Sequence, residues 1–421
     1  MIIKKHGILT LMLALIAATA HSAEINDDED ALRFRLKNDF RRADRPSAGA
    51  SGRDIYGWVQ GGMIDVNTHY YNNFIGVSAG EYYVYKLGAK SRWTTRGYLS
   101  DHDSFGISLG ALKLKPAENI RLKIGRFSTD NGYGSLPYRI PLIAGGSTRT
   151  MPTISQGVFG RYDPTENLDL WGMWRSRVFY WSDAAVGVRD EGVYNSTTGR
   201  YDIHRPRSFL AASWHDASSR YSVGASRQED VSNQYQTIVE KNFLLDNNDK
   251  IKLEMLGFYA QVDGLSRAKS YYDNTSVYSG QVTYAMKNIS FFSSVGLVTH
   301  ALSGSIVDTD IGYPNSLSID RNKEDMLSWQ VGVQYFFKPN LSVMLAPLMT
   351  RGYEDSQRTI EIHGQGVLAG VFYNVTEGPL SGMKMYIASD IAKEKRNGSS
   401  LGNQLHYWDI KTGIQYDFLM K

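Results

Sequence analysis

From Leu32 onward, apolar and polar positions alternate along the chain with a period of two. Leu32, Phe34, Leu36 and Phe40 share one parity; Arg33, Arg35, Lys37, Asp39 and Arg41 share the other. In an extended strand these sets face opposite sides. Ile120, Leu122 and Ile124 likewise oppose Arg121 and Lys123. Leu327, Trp329, Val331, Val333, Tyr335 and Phe337 oppose Ser328, Gln330, Gly332 and Gln334. Trp408, Ile410, Ile414, Tyr416 and Phe418 oppose Asp409, Lys411, Gln415 and Asp417. The polar parity carries charged and small residues that a dry core would not tolerate. A lipid-facing flank backed by a wet lumen accounts for both sets.

The segments between these runs alternate in length. Short turns fall at Tyr71–Asn73, Pro116–Asn119, Asp163–Asn167, Asp216–Ser219, Asp246–Asp249, Lys287-Asn288, Lys338–Asn340 and Asn374–Pro379. They are rich in Asn, Asp, Pro and Ser, which suit turn geometry. Longer polar segments lie between them: Ala43–Arg53, Lys90–Asp103, Ser128–Ile154, Ser182–Pro206, Gly264–Tyr272, Leu302–Asp325 and Lys393–Asn403. Short turns on one rim and long loops on the other are the pattern of an outer-membrane barrel. The fold class is therefore all-β: a transmembrane antiparallel β-barrel of about 18 strands.

Composition agrees. The 421 residues include 27 Tyr, 40 Gly and only 11 Pro, and aromatic residues suit a pleated surface. The mean hydropathy of −0.34 resembles a soluble protein, as it must when only alternate residues meet lipid. Lys4 and Lys5 precede an apolar run from Ile8 to Ala18, and Ala18-Thr19-Ala20 or Ala23 offers a cleavage site. This reads as a secretory signal peptide over residues 1–23, with 24–421 a single barrel domain. The run is too short to span a bilayer as a helix, which takes about 20 apolar residues. Residues 24–30 are acidic and read as a frayed start. There is no cysteine, so the exported chain relies on its hydrogen-bonded sheet rather than disulfides. Losing Lys4 and Lys5 lowers the formal charge from +3 to +1, a balance that gives no reason to expect nucleic acid as a partner.

Several pieces are similar to the OprD-type porins, a family that includes the chitoporins. They are Leu36-Lys37-Asn38-Asp39-Phe40-Arg41, Gly57-Trp58-Val59-Gln60-Gly61, Leu122-Lys123-Ile124-Gly125-Arg126, Glu324-Asp325-Met326-Leu327-Ser328-Trp329-Gln330 and Glu377-Gly378-Pro379-Leu380-Ser381-Gly382. Arg149-Thr150-Met151-Pro152 followed by Gly157-Val158 resembles the family's approach to the strand after its longest loop. Lys411-x-Gly413-x-x-Tyr416-x-Phe418 resembles the terminal signal read by the barrel-assembly machinery, although Leu419, Met420 and Lys421 follow it. The resemblance implies an 18-stranded pore in a Gram-negative outer membrane. It also implies a third extracellular loop folded inward as a constriction, and a ladder of Arg and Lys that guides anionic groups.

The residues themselves supply candidates. Arg33, Arg35, Lys37, Lys123, Arg161, Arg175, Arg177 and Lys252 fall on the lumen parity, and a bulge would turn Arg126 inward. A guanidinium can hold a carboxylate bidentately and pass it on; nearby acids such as Asp39, Asp169 and Glu254 would moderate that binding. Alternatively, these charges simply pair with the acids and hydrate the wall. The third loop carries Asp130, Tyr133, Tyr138, Arg139 and Arg149, and Gly132, Gly134, Gly145 and Gly146 let it turn sharply. Trp58, Trp174, Trp329 and Trp408 fit interfacial girdles.

Catalysis finds little footing. Gly76-Val77-Ser78-Ala79-Gly80 matches a hydrolase elbow, yet no helix signal follows. The histidines are scattered without metal-ligand spacing, and Asp308 and Asp310 read as a solvated loop. No cofactor, resident metal or catalytic residue is expected. The function expected is passive, selective diffusion of small carboxylates, amino acids or short peptides. An oligosaccharide channel and a receptor barrel with a closed lumen are the alternatives. Expected partners are outer-membrane lipid and lipopolysaccharide, the assembly machinery and small solutes, in a monomer or homotrimer.

Overall fold

In the computed structural model, the described residues are 27–44, 54–89, 104–129, 139–143, 153–179, 189–195, 200–269, 273–302, 312–398 and 404–420. Among the described residues, strands follow one another with one short helix between them. The first seven are β1 (Ala31–Asp44), β2 (Asp54–Asn67), β3 (Ile75–Ala89), β4 (Ser104–Ala117), β5 (Ile120–Ser128), β6 (Ile154–Thr165) and β7 (Leu168–Phe179). Three short strands follow within one loop: β8 (Arg189–Asp190), β9 (Gly192–Asn195) and β10 (Arg200–His204). The wall resumes with β11 (Arg207–His215), β12 (Ser219–Gln228), β13 (Ser232–Leu244), β14 (Lys250–Val262), β15 (Thr275–Ala285) and β16 (Ile289–Val298). It ends with β17 (Glu324–Lys338), β18 (Leu341–Tyr353), β19 (Glu361–Asn374), β20 (Lys384–Asn397) and β21 (Gln404–Met420).

Every wall strand pairs antiparallel with its neighbours in chain order, and β7 pairs directly with β11, which leaves β8–β10 in the loop. The last strand closes onto the first, from Leu32 opposite Met420 to Asp44 opposite Trp408. Among the described residues, eighteen strands thus form a closed barrel. Closure satisfies every backbone group without a free edge, as lipid demands.

Period-two alternation decides which flank faces which medium. Along β1, Ala31, Arg33, Arg35, Lys37 and Asp39 are buried, while Leu32, Phe34 and Leu36 take the other flank. Exposed Trp58, Trp174, Trp214 and Trp329 stand on the outer surface. Trp408 takes the same outward parity, and the Arg42 guanidinium lies 5.9 Å from its ring.

Three boundaries differ from those expected. The strand β20 runs to Asn397, so Lys393–Asn397 belongs to the wall rather than to a loop. A short helix, Gly264–Lys269, occupies part of the loop after β14. Residues 27–30 are tied down rather than frayed. The Lys113 ammonium donates to the Asp27 carbonyl at 2.6 Å, Lys123 pairs with the Asp27 carboxylate at 2.8 Å, and Arg121 with Asp28 at 3.1 Å. The Asp30 carboxylate meets His69 at 2.8 Å and accepts from its backbone N–H, which holds Asp30 below its ordinary pKa. The acidity that marked this run as disordered is what binds it to a basic rim.

Candidate functional site

The interior of the barrel is the site, and β1 supplies its first wall. Arg33 and Asp65 stand opposite each other across β1 and β2, and the Arg33 guanidinium meets the carboxylate at 2.9 Å with both side chains buried. Arg35 stands opposite Asp417 of β21 and pairs with it. Arg41 reaches diagonally to Asp409 of β21. Lys37 and Asp39 are buried on the same flank. The three arginines of this ladder each hold an acid, so the wall carries charge pairs rather than a bare cationic stripe. In that setting a carboxylate solute would exchange with the resident acids instead of filling an empty charge.

The remaining candidates divide. Lys123 faces inward, bound to Asp27. Arg161 meets Asp169 at 2.9 Å, and its guanidinium lies 4.8 Å from the ring centre of Trp171. Arg175 is buried against Glu191 and packs on Phe209 at 5.0 Å. Lys252 pairs with Glu254 at 2.8 Å. Arg177 leaves the group: the β6–β7 register slips between Gln156 and Gly157, the side-chain parity changes there, and Arg177 is half exposed beside Asp190. Arg126 keeps the parity of Leu122 and Ile124, and β5 pairs with β6 through it without a bulge. The inward turn expected for Arg126 does not occur, and it contacts Gln156 at 3.3 Å.

Among the described residues, interior cations that escaped the sequence reading include Lys113, Arg207 and Arg396. Lys113 is fully buried between the Asn67 side chain (2.9 Å) and the Thr68 carbonyl (2.6 Å). Alternation would have found it, since Lys113 lies between Leu112 and Leu114. Arg396 is buried on β20, bound to Glu394 and Glu354 at 2.8 Å each.

Among the described residues, segments of the third loop and of the loop before β17 pack against the inner wall. Of the third loop, Asp130, Tyr133, Tyr138 and Arg149 lie outside the described residues. Its described stretch, 139–143, buries Ile140, Leu142 and Ile143. The Leu142 N–H donates to the Gln236 side chain of β13 at 2.7 Å. Gly224 of β12 makes room for it: a Cβ there would lie 2.8 Å from Pro141. The same apolar cluster takes in Phe159, Trp171, Met173, Phe209, Leu256 and Phe258 from the wall.

The other loop, between β16 and β17, was not expected inside. The Tyr313 N–H donates to Ser279 of β15 at 2.6 Å, and a Cβ at Gly296 would clash with the Tyr313 carbonyl at 2.3 Å. Further along, the Asp390 carboxylate on β20 accepts from Ser316 Oγ (2.7 Å), Leu317 N–H (2.8 Å) and Ser318 N–H (3.3 Å). Arg41 donates to the Leu317 carbonyl at 3.1 Å. The loop thus reaches from β15 to the charged wall at β20 and β1. The Tyr313 phenol is pushed above its ordinary pKa by burial, then by Glu254, with Arg139 of the third loop opposing. Arg139 and Tyr313 bring the two loops within electrostatic reach of each other.

The Gly76–Gly80 motif lies in the strand β3, where the Ser78 hydroxyl donates to the Asn67 side chain at 2.9 Å, so no nucleophile elbow exists there. Asp308 and Asp310 lie outside the described residues.

A closed antiparallel barrel with short turns, long loops and loops folded into a charged interior is an outer-membrane barrel of the porin type. Solved structures share this fold. The chain aligns with OpdK of Pseudomonas aeruginosa bound to vanillate at a TM-score of 0.71 and 16% identity, covering 93% of this chain and 99% of that one. It aligns with OccD1 (OprD) at a TM-score of 0.69 and 16% identity, covering 96% and 98%. No family model matches. The membrane-associated protein UidC of Escherichia coli (strain K12) is 58% identical over 415 residues, 99% of this chain and 98% of that protein. The chain belongs to the family of UidC, and its barrel has the OprD-type fold.

Proposed function

We propose that this barrel is a channel for passive, selective diffusion of small hydrophilic solutes bearing a carboxylate, such as organic acids, amino acids or short peptides. One observation carries the reading: Arg33, Arg35, Lys37 and Arg41 share one parity of β1, and the three arginines each hold an acid that a solute anion can replace. Stepwise exchange between paired donors lets an anion bind and leave, as transport requires. That OpdK is described with vanillate, a carboxylate, supports the class of cargo. The apolar cluster around the third loop favours a second reading, a receptor barrel with a closed lumen.

Planar-bilayer recording separates the two. The full chain is expected to give unit conductance steps, an anion-leaning reversal potential in a salt gradient, and current block by small carboxylates. Replacing Arg33 and Arg35 with Ser leaves Asp65 and Asp417 without these partners and should swing the reversal potential toward cations. An unchanged potential would reject the ladder, and absence of steps in the native chain would reject the channel.

A further inference from the structure

The outward flank of β18–β20 carries charge beside its lipid-facing band. Cross-strand register sets three rows there. The row nearest mid-wall is apolar: Pro347 stands opposite Val367, and Val367 opposite Ile391. The next row toward the long-loop rim is Met349, Gln365 and Lys393; the last is Arg351, His363 and Lys395. Alternate residues of a strand lie about 7 Å apart, so both cationic rows fall within one headgroup depth of the apolar band. They border a continuous surface groove whose lower part is lined by Trp329, Met349, Val367 and Ile391. Glu361 takes up Arg351 (2.9 Å) and His363 (3.2 Å). Among the described residues, Lys393 and Lys395 form no ion pair. Their neighbours Glu394 and Arg396 alternate into the lumen and pair there, so they do not compensate the outer charge.

Two uncompensated ammonium groups above an apolar groove match an amphiphile with an anionic head. The long-loop rim faces the outer leaflet. A free anion would gain nothing from the apolar floor. A second copy of the chain, docked face to face, would set Lys393 and Lys395 against their own kind.

We propose that this groove binds one phosphorylated glycolipid of the outer leaflet, its phosphate between Lys393 and Lys395 and its acyl chains along Met349 and Ile391. The inference rests on the barrel's place in the outer membrane and is independent of solute passage. The test is native mass spectrometry of the detergent-purified full chain, titrated with bisphosphorylated lipid A. One lipid is expected to bind, and affinity should fall about tenfold when its phosphates are removed or in Lys393→Gln/Lys395→Gln. The charge-keeping pair Lys393→Arg/Lys395→Arg should bind like the native chain. Both variants alter exposed outer side chains, and folding is checked by heat-modifiable mobility. Equal lipid A binding by the folded double Gln variant would overturn the proposal. So would displacement by inorganic phosphate at equal concentration, or a second chain occupying the face in place of lipid.

Discussion

The two halves of the barrel interior solve the same problem in opposite ways. From β20 through β21 and β1 to β5, the inner flank is charged. Arg33, Arg35, Lys37, Asp39, Asp65, Lys113, Asp390, Glu394 and Asp409 are all buried there, and the pairs Arg33–Asp65 and Arg35–Asp417 cross from one strand to the next. From β6 to β16 the inner flank is mainly apolar or uncharged, with Phe159, Met173, Phe209, Leu256 and Phe258 in one buried cluster with the loop residues Ile140, Leu142, Ile143, Val193 and Leu302. A closed sheet leaves both inner flanks facing the same lumen, so the difference lies in what covers them. Charged residues stay where a partner charge is one strand away. Apolar residues stay where a loop removes water. The inner wall is therefore asymmetric, and on the proposed reading an anion would run along its charged side.

The largest effect should come from opening the dry side. Phe209 is buried, with the Arg175 and Arg207 guanidiniums 5.0 and 6.0 Å from its ring. Phe209→Ala should cost about 4 kcal/mol, the transfer term plus the cavity left behind. Guanidinium unfolding in detergent would measure it. A cost below about 1 kcal/mol would mean that this flank is wet and the contrast is false.

On the charged side, Arg33→Ser leaves Asp65 buried without the donor that holds it at 2.9 and 3.2 Å. The expected cost is about 3 kcal/mol, because an uncompensated buried charge is worse than none. Adding Asp65→Asn should recover much of it. Unfolding curves in low and high salt would sharpen the point: buried pairs are poorly screened, so the cost should persist in 1 M salt, where the Debye length is about 3 Å.

How much of this could be read beforehand follows from what is local. Period-two alternation is a property of each strand, so the closed barrel, the inner flank of β1 and the turns were legible. Pairing is not local. Arg35 and Asp417 are 382 residues apart and meet only because the last strand closes on the first. A bulge is equally silent in sequence: the slip near Gly157 moved Arg177 off the lumen parity with no mark in the residue pattern. Glycines and length marked the third loop as able to turn inward. The loop before β17 had no such mark, because its anchor, Asp390, lies 73 residues from Leu317.

That anchor joins the two halves, so it gives the finest test of the contrast. Asp390 accepts three hydrogen bonds from Ser316, Leu317 and Ser318, while the start of the same segment is held by Ser279 on the other side. A neutral amide keeps the shape but loses the charge, and its NH2 cannot accept. Asp390→Asn should therefore weaken the charged-side attachment by about 2 kcal/mol, the scale of hydrogen bonds to an ionised acceptor. The Ser279 end should hold. The loop would then open from one side, so protease cleavage near Ser316 should rise while the unfolding midpoint moves little. Unit conductance should increase if the segment narrows the passage along the charged wall. If cleavage rises and conductance stays constant, the anion route does not pass beneath this loop, and the asymmetry is structural rather than conductive.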